Sequence, residues 1–174
     1  WRDIVWAASI SLFVAVGGPD LTETSQVMTS PNGITWTLRT ATSDRTWYGI
    51  AWSPTLVLFA AVNNDGVTGQ VMTSPDGITW TARSAAAVRA WQRVVWADTL
   101  GLFVAVSETG GTTQQVMTSP DGITWTLRDT GIASGWNDIT WSSSLGRLVA
   151  VGAPYIGGGG SVYAMYSSDG INWT

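Results

Sequence analysis

One motif of about 45 residues is written four times along this 174-residue chain, and all twelve tryptophans fall on the same three positions of it. The first column is Trp1, Trp47, Trp91 and Trp136, the second Trp6, Trp52, Trp96 and Trp141, and the third Trp36, Trp80, Trp125 and Trp173. A period of this length means one supersecondary unit that buries its apolar surface against copies of itself. Repetition therefore constrains the scaffold strongly and the activity hardly at all, because such scaffolds carry many functions.

Each copy divides into short segments rich in Val, Ile, Thr and Trp, bounded by Gly, Pro, Asp, Asn or Ser. The first runs from Trp1 to Trp6, with counterparts beginning at Trp47, Trp91 and Trp136. The second is continuously apolar, as in Leu12 to Val16 and Leu58 to Val62, and suits a strand covered on both faces. The third carries all four methionines, Met28, Met72, Met117 and Met165. The fourth, Ile34 to Arg39 and its counterparts, alternates as an outer strand with one wetter face should. Four short strands per unit predict an all-β chain, a β-propeller of four-stranded antiparallel blades. The blades fall at about 1–46, 47–90, 91–135 and 136–174 of a single domain spanning 1–174.

Between the third and fourth segments stands Ser-Pro-Asp-Gly-Ile-Thr-Trp-Thr, at Ser74 to Thr81 and Ser119 to Thr126, with variants at Ser30 to Thr37 and Ser167 to Thr174. Asp76, Asp121 and Asp169, and Asn32 in the first copy, offer a side-chain oxygen to the N–H groups of a turn. Gly33, Gly77, Gly122 and Gly170 supply positive φ, and Trp36, Trp80, Trp125 and Trp173 are expected to pack over the turn. The motif resembles the Asp-box of sialidase-like and related β-propellers, where it forms the hairpin between the third and fourth strands of a blade. The resemblance covers the whole chain, and it implies that these twelve residues are structural. Repeats of the form Phe-Val-Ala-Val-Gly followed by Ser-Pro-Asp-Gly-Ile-Thr-Trp also resemble those of secreted bacterial and phage tail or fibre proteins, which implies an extracellular or virion-associated setting.

Composition removes several classes of chemistry. The chain has neither cysteine nor histidine, so disulfides, thiolate or imidazole zinc sites and His-based triads are excluded, and no metal or cofactor is expected. All eight basic residues are arginine, the net charge is −4, and no basic stripe is present, so nucleic acid is not an expected partner. No apolar run reaches the 18 or so residues of a membrane span, so no membrane insertion is expected. The start at Trp1, with neither Met nor a leader pattern, reads as a processed form or a part of something longer.

A four-stranded blade sorts its connections by face. Here the first-to-second turns and the Ser-x-Asp-Gly turns are nearly uniform, whereas the second-to-third and inter-blade loops differ in length and chemistry. Binding belongs on variable loops carried by a rigid frame. At the variable end of each first segment sit a tryptophan and a polar residue that changes with every blade: Trp1 and Arg2, Trp47 and Tyr48, Trp91 and Gln92, Trp136 and Asn137. These eight are the candidate ligand-binding residues, with the tryptophans read as core or as a platform for stacking sugars. Position three adds Asp3, Gly49, Arg93 and Asp138 to the same rim. Trp6, Trp52, Trp96 and Trp141 are expected in the inter-blade core, and Arg39, Arg83 and Arg128 as solvated edge charges.

The expected function is non-catalytic recognition, lectin-like or adhesin-like, of a glycan or a protein surface through the variable face. A purely structural or assembly propeller of a particle is the alternative. A glycoside hydrolase is the lesser one, since Asp3 and Asp138 are the only pair of acids that ring closure might bring near each other. Four blades fit either a closed ring or part of a larger one. The larger ring, completed by further blades or by self-association with a second copy, is the stronger expectation, because an arc leaves two apolar blade faces uncovered.

Overall fold

The computed structural model describes residues 1–18, 26–67, 69–109, 111–153 and 164–174. The fold is a β-propeller whose blades follow one another along the chain. The first blade is β1 (Asp3–Ala7), β2 (Leu12–Val16), β3 (Val27–Ser30) and β4 (Thr37–Arg39). The second is β5 (Trp47–Ser53), β6 (Leu58–Asn63), β7 (Gln70–Ser74) and β8 (Thr81–Ser84). The third is β9 (Trp91–Ala97), β10 (Leu102–Ser107), β11 (Val116–Ser119) and β12 (Thr126–Arg128). The fourth has β13 (Gly135–Ser142), β14 (Arg147–Ala153) and β15 (Ala164–Ser167), with Thr174 and Tyr166 exchanging both backbone hydrogen bonds where a fourth strand begins. Every neighbouring pair within a sheet is antiparallel, and registers repeat: Ala15↔Met28, Ala61↔Met72, Ala105↔Met117 and Ala150↔Met165.

Each sheet is apolar on both sides, and the two sides differ in bulk. The side facing the next blade carries small or β-branched residues, and the side facing the preceding blade carries large ones. Val14, Val16 and Val27 of the first blade thus meet Trp47, Ile50, Phe59 and Met72 of the second. Ala60, Val62 and Val71 meet Trp91, Val94, Phe103 and Met117. Val104, Val106 and Val116 meet Trp136, Ile139, Leu148 and Met165. Each side chain so buried contributes about 1.5–3 kcal/mol, so these three seams hold the blades together.

Four turns of one design join third to fourth strands. Asp76 Oδ1 accepts the N–H groups of Ile78 and Thr79, both at 2.8 Å, while Ser74 Oγ accepts that of Gly77. Asn32, Asp121 and Asp169 do the same for the residues two and three positions on. The indole N–H of Trp36, Trp80, Trp125 or Trp173 closes each turn on the glycine carbonyl at 3.1–3.3 Å. Because the acid takes these two N–H groups, the ladder cannot use them. The outer strands therefore start at Thr37, Thr81 and Thr126, three residues later than the sequence pattern predicts. Gly77 has φ +72°, and a Cβ there would lie 2.9 Å from Val14 of the preceding blade, so conformation and space both exclude a side chain.

Arg39, Arg83 and Arg128 are half-buried on the outer strands, where each Nε–H donates to the threonine across the strand, Thr29, Thr73 or Thr118. Of the second tryptophan column only Trp52 is buried: Trp96 and Trp141 are half-buried and Trp6 is exposed. The blades form an open arc, with β1 and β13 not packed on each other as consecutive inner strands are.

Burial works to raise the carboxyls of Asp76 and Asp121, but their turn N–H and Ser hydroxyl donors outweigh it and hold both below the usual carboxylate range. Asp169 is held far below it, first by the N–H and side-chain amide of Asn172. A depressed carboxyl adds stability above its unfolded pKa of about 3.9 and loses it as pH falls through the folded value. The triple variant Asp76→Asn, Asp121→Asn, Asp169→Asn, which copies the Asn32 turn, should fold at pH 7 and lose less stability than the parent between pH 4 and 2 in urea titrations. Gly33→Ala should cost about 1–2 kcal/mol for its left-handed backbone, and Gly77→Ala about 1–3 kcal/mol more for overpacking against Val14, read as midpoint shifts in the same assay.

Candidate functional site: the axial mouth

Residues of the inner strands β1, β5, β9 and β13, among them Val5, Trp52, Val95 and Trp141, line an open pocket of about 280 Å³. Over its variable end lies a polar cluster built from positions two and three of the inner strands. Arg93 is the hub. Its Nη1–H donates to the Tyr48 carbonyl at 2.6 Å, Nη1 lies 3.9 Å from Asp3 Oδ2, and Nε lies 3.6 Å from Asp138 Oδ1. One guanidinium thus links residues from all four blades. Gly49 makes this possible by close approach: a Cβ there would sit 2.8 Å from the Arg93 Cα, so β5 and β9 touch backbone to backbone.

Asp3 is saturated with donors. Oδ1 accepts the N–H of Ile4, and Oδ2 accepts that of Ile50 in the next blade at 3.0 Å. Burial nevertheless raises its carboxyl above the usual range, against the pull of the Ile50 N–H and the Arg93 charge. Asp138 is more exposed and accepts the N–H of Ile139 as well as facing Arg93. Around this hub the Arg2 guanidinium lies 4.7 Å over the Tyr48 ring. The Gln92 side-chain amide donates to Glu108, whose other oxygen accepts from Asn64 Nδ2 at 3.1 Å. Asn137 is exposed at the same rim.

Of the eight candidate residues, the structure brings Arg2, Tyr48, Gln92 and Asn137 to the mouth and removes three tryptophans from it. Trp47, Trp91 and Trp136 are fully buried at the seams, so no indole face is open to a ligand there. Each seals against the blade before it, and the Trp47 N–H donates to the Gly17 carbonyl of the first blade. Of this column Trp1 alone is exposed. The turn residues Asn32, Asp76, Asp121 and Asp169 lie on the opposite face with their near oxygens occupied.

Sequence reasoning gave Asn64 and Glu108 no binding role, yet they tie the second and third blades at the rim. Their common signal was position: each stands two residues beyond the closing valine of its second strand, Val62 or Val106. It also gave no role to the glutamines opening the third strands. Buried Gln26 donates to Asp44 at 2.7 Å, Gln70 accepts from Ser43 at 2.8 Å, and Gln115 bonds Ser107 and Thr109. These amides pin the inter-blade loops and the long loops to the frame. Glu23 and most of the long loops of the first and fourth blades lie outside the described residues. Among the described residues no group of three or more acidic side chains is placed to hold a metal ion.

Neither a family model nor a curated protein matches the chain in sequence. Solved structures match its shape. A chain of the nidogen/laminin complex superposes with TM-score 0.72 at 15% identity, over 95% of this chain and 59% of that one. The GH74 enzyme of Niastella koreensis matches at TM-score 0.63 and 16% identity, over 99% of this chain and 23% of the enzyme. The GH32 β-fructofuranosidase of Bombyx mori, solved with sucrose, matches at TM-score 0.50 and 12% identity, over 94% and 46%. At such identities the likeness is one of fold alone. The chain spans less than two thirds of each of these chains.

Replacing the hub tests its electrostatics. Arg93→Met should destabilise by about 1.5–3 kcal/mol at pH 7, the range for a lost hydrogen bond to a charged group. Without the guanidinium, the Asp3 carboxyl rises further. A raised carboxyl favours the fold below its unfolded pKa and disfavours it as pH rises through the folded value, so the deficit of the variant should shrink from pH 7 to pH 4 in chemical denaturation.

Proposed function

We propose that this chain is a recognition module built on an Asp-box propeller, lectin-like or adhesin-like, that binds a glycan or a polar protein surface at the axial mouth and does not turn it over. One observation carries the reading. Every blade presents a different polar residue to a single rim, Arg2, Tyr48, Gln92 and Asn137, while the opposite face repeats one turn four times with the near oxygen of its Asp or Asn internally used. Diversity confined to one face of a rigid frame is what selection for contacts leaves behind.

The arrangement of acids supports binding over hydrolysis. The oxygens of Asp3 are taken by Ile4, Ile50 and Arg93, and Asp138 shares Arg93 and the N–H of Ile139, so both carboxylates serve as positioning groups for the guanidinium. A glycosidase needs one of its acids free to carry a proton. The structural neighbours contain both kinds of protein: one belongs to a nidogen/laminin complex, and two are carbohydrate-acting enzymes. An extracellular or virion-associated setting suits an adhesin of this type, with an acidic surface that has no lysine.

The test is retention on an array of glycans and extracellular matrix proteins. Tyr48→Ala with Asn137→Ala should weaken retention of the bound ligand at least tenfold and leave the thermal midpoint within a few degrees of the parent. Retention unchanged in the double variant, or no retention at millimolar glycan or micromolar protein, overturns the reading. Turnover of a fluorogenic glycoside that disappears in Asp138→Asn overturns its non-catalytic part.

A further inference from the structure

The loops that lead into the second and third blades are built alike except at one position. In each, the residue before the first tryptophan of the blade offers its carbonyl to the loop between second and third strands. Thr46 accepts the N–H of Asn64 at 3.2 Å, and Ala90 accepts that of Glu108 at 3.0 Å. An arginine stands one place earlier in both, Arg45 and Arg89. One place beyond the bonded N–H comes Asp65 in the second blade but Thr109 in the third. Arg45 pairs with Asp65 at 3.3 Å. Arg89 has no acid to meet. Thr109 Oγ1 accepts the N–H of Ala90 at 2.9 Å instead, and Glu108 is held by Gln92 and Asn64.

Of the eight arginines, Arg89 alone has no side-chain partner among the described residues. Arg2 and Arg147 lie over tyrosine rings, and Arg39, Arg83 and Arg128 donate to threonines. Arg45 has its acid, and Arg93 is the hub of the mouth. Arg89 is half-buried and its Nε is enclosed without an acceptor, so the guanidinium is held in place with its charge uncompensated. A charged donor left unpaired in partly dry surroundings favours any carboxylate that can reach it.

We propose that this corner between the second and third blades docks a protein partner that presents an aspartate or glutamate beside an aliphatic side chain, with Arg89 taking the carboxylate. Gly69 of the second blade lies so near the Arg89 loop that a Cβ on it would meet the Val88 Cα at 2.9 Å. Val88 is 56% exposed, and Val67, two residues before Gly69, is 72% exposed. Aliphatic contacts flanking an arginine suit a protein interface, in which arginine is a favoured anchor. An acidic sugar would need hydrogen-bonding groups or a ring to stack on, and these exposed side chains are valines. Both blades are flanked by a blade on each side, so the corner is complete as it stands.

The probe is a blocked Val-Glu-Val peptide, added to the isotope-labelled chain at about 10 mM to suit the millimolar affinity of a single charged contact. The Arg89 Nε–H resonance should shift, and the shift should shrink with added salt. Blocked Val-Gln-Val should leave the resonance in place. Thr109→Asp, which copies Asp65, should move it without peptide and abolish the response, because the arginine then has an internal partner. Thr109→Asn, an acceptor without charge, should keep the response, as should Tyr48→Ala with Asn137→Ala, which strips the mouth. No shift with Val-Glu-Val, an equal shift with Val-Gln-Val, a full response in Thr109→Asp or a response lost with the mouth residues overturns the proposal. A larger response to glucuronate than to Val-Glu-Val overturns the choice of a protein partner. Should Thr109→Asp not fold, the backbone N–H resonances of Val88 and Ala90 in Arg89→Gln decide: response lost supports the proposal, and response kept overturns it.

Discussion

A sheet that is apolar on both faces has to be covered on both, and the architecture of this chain follows from that requirement. One face is lined by Val and Ala, the other by Trp, Ile, Phe and Met, so consecutive copies interlock instead of merely touching. Wedging a bulky face onto a small one three times turns four sheets about a common axis. That rotation brings four inner strands together closely enough for a single arginine to reach groups on every blade. The mouth is a product of the seams.

The Ser-x-Asp-Gly turn serves the same packing. By capturing two N–H groups, its side-chain oxygen fixes the glycine in positive φ, and the glycine fits onto the second strand of the preceding blade. The following tryptophan then lies in a row with Phe and the second tryptophan of its blade: ring centroids separate Trp52 from Phe59 by 4.3 Å and Phe59 from Trp80 by 6.2 Å. Asn32 performs the turn as well as aspartate does, since an oxygen acceptor is required and a charge is not. The charge affects stability as a function of pH and leaves the shape alone.

Much of the fold was legible. The order of the strands and the registers of the second and third strands follow from a repeat whose Ala and Met columns sit opposite one another. The site was legible only in its polar half. Arg2, Tyr48, Gln92 and Asn137 stood out because they vary at a fixed position, and they reach the rim. Trp47, Trp91 and Trp136 were left between core and stacking platform in sequence, since a strand end gives no account of what the adjacent blade covers. The link of Asn64 to Glu108 was not legible because it joins two blades across 44 residues of chain.

What the amino-acid sequence determined alone is whatever depends on neighbours within about 45 residues: the turn chemistry, the short strands, the two-sided apolar character and the count of four blades. Local hydrogen bonds and side-chain alternation are decided at that range. Tertiary structure alone decided which copies of a repeated residue are covered and which are not. Trp1 and Trp47 occupy the same position of the motif, yet Trp1 is open and Trp47 is sealed against Val14, Val16 and Val27 of the first blade. It alone also decided that Asp3, Arg93 and Asp138 act as one group, since only the rotation of blade on blade brings side chains 90 and 45 residues apart to a common guanidinium.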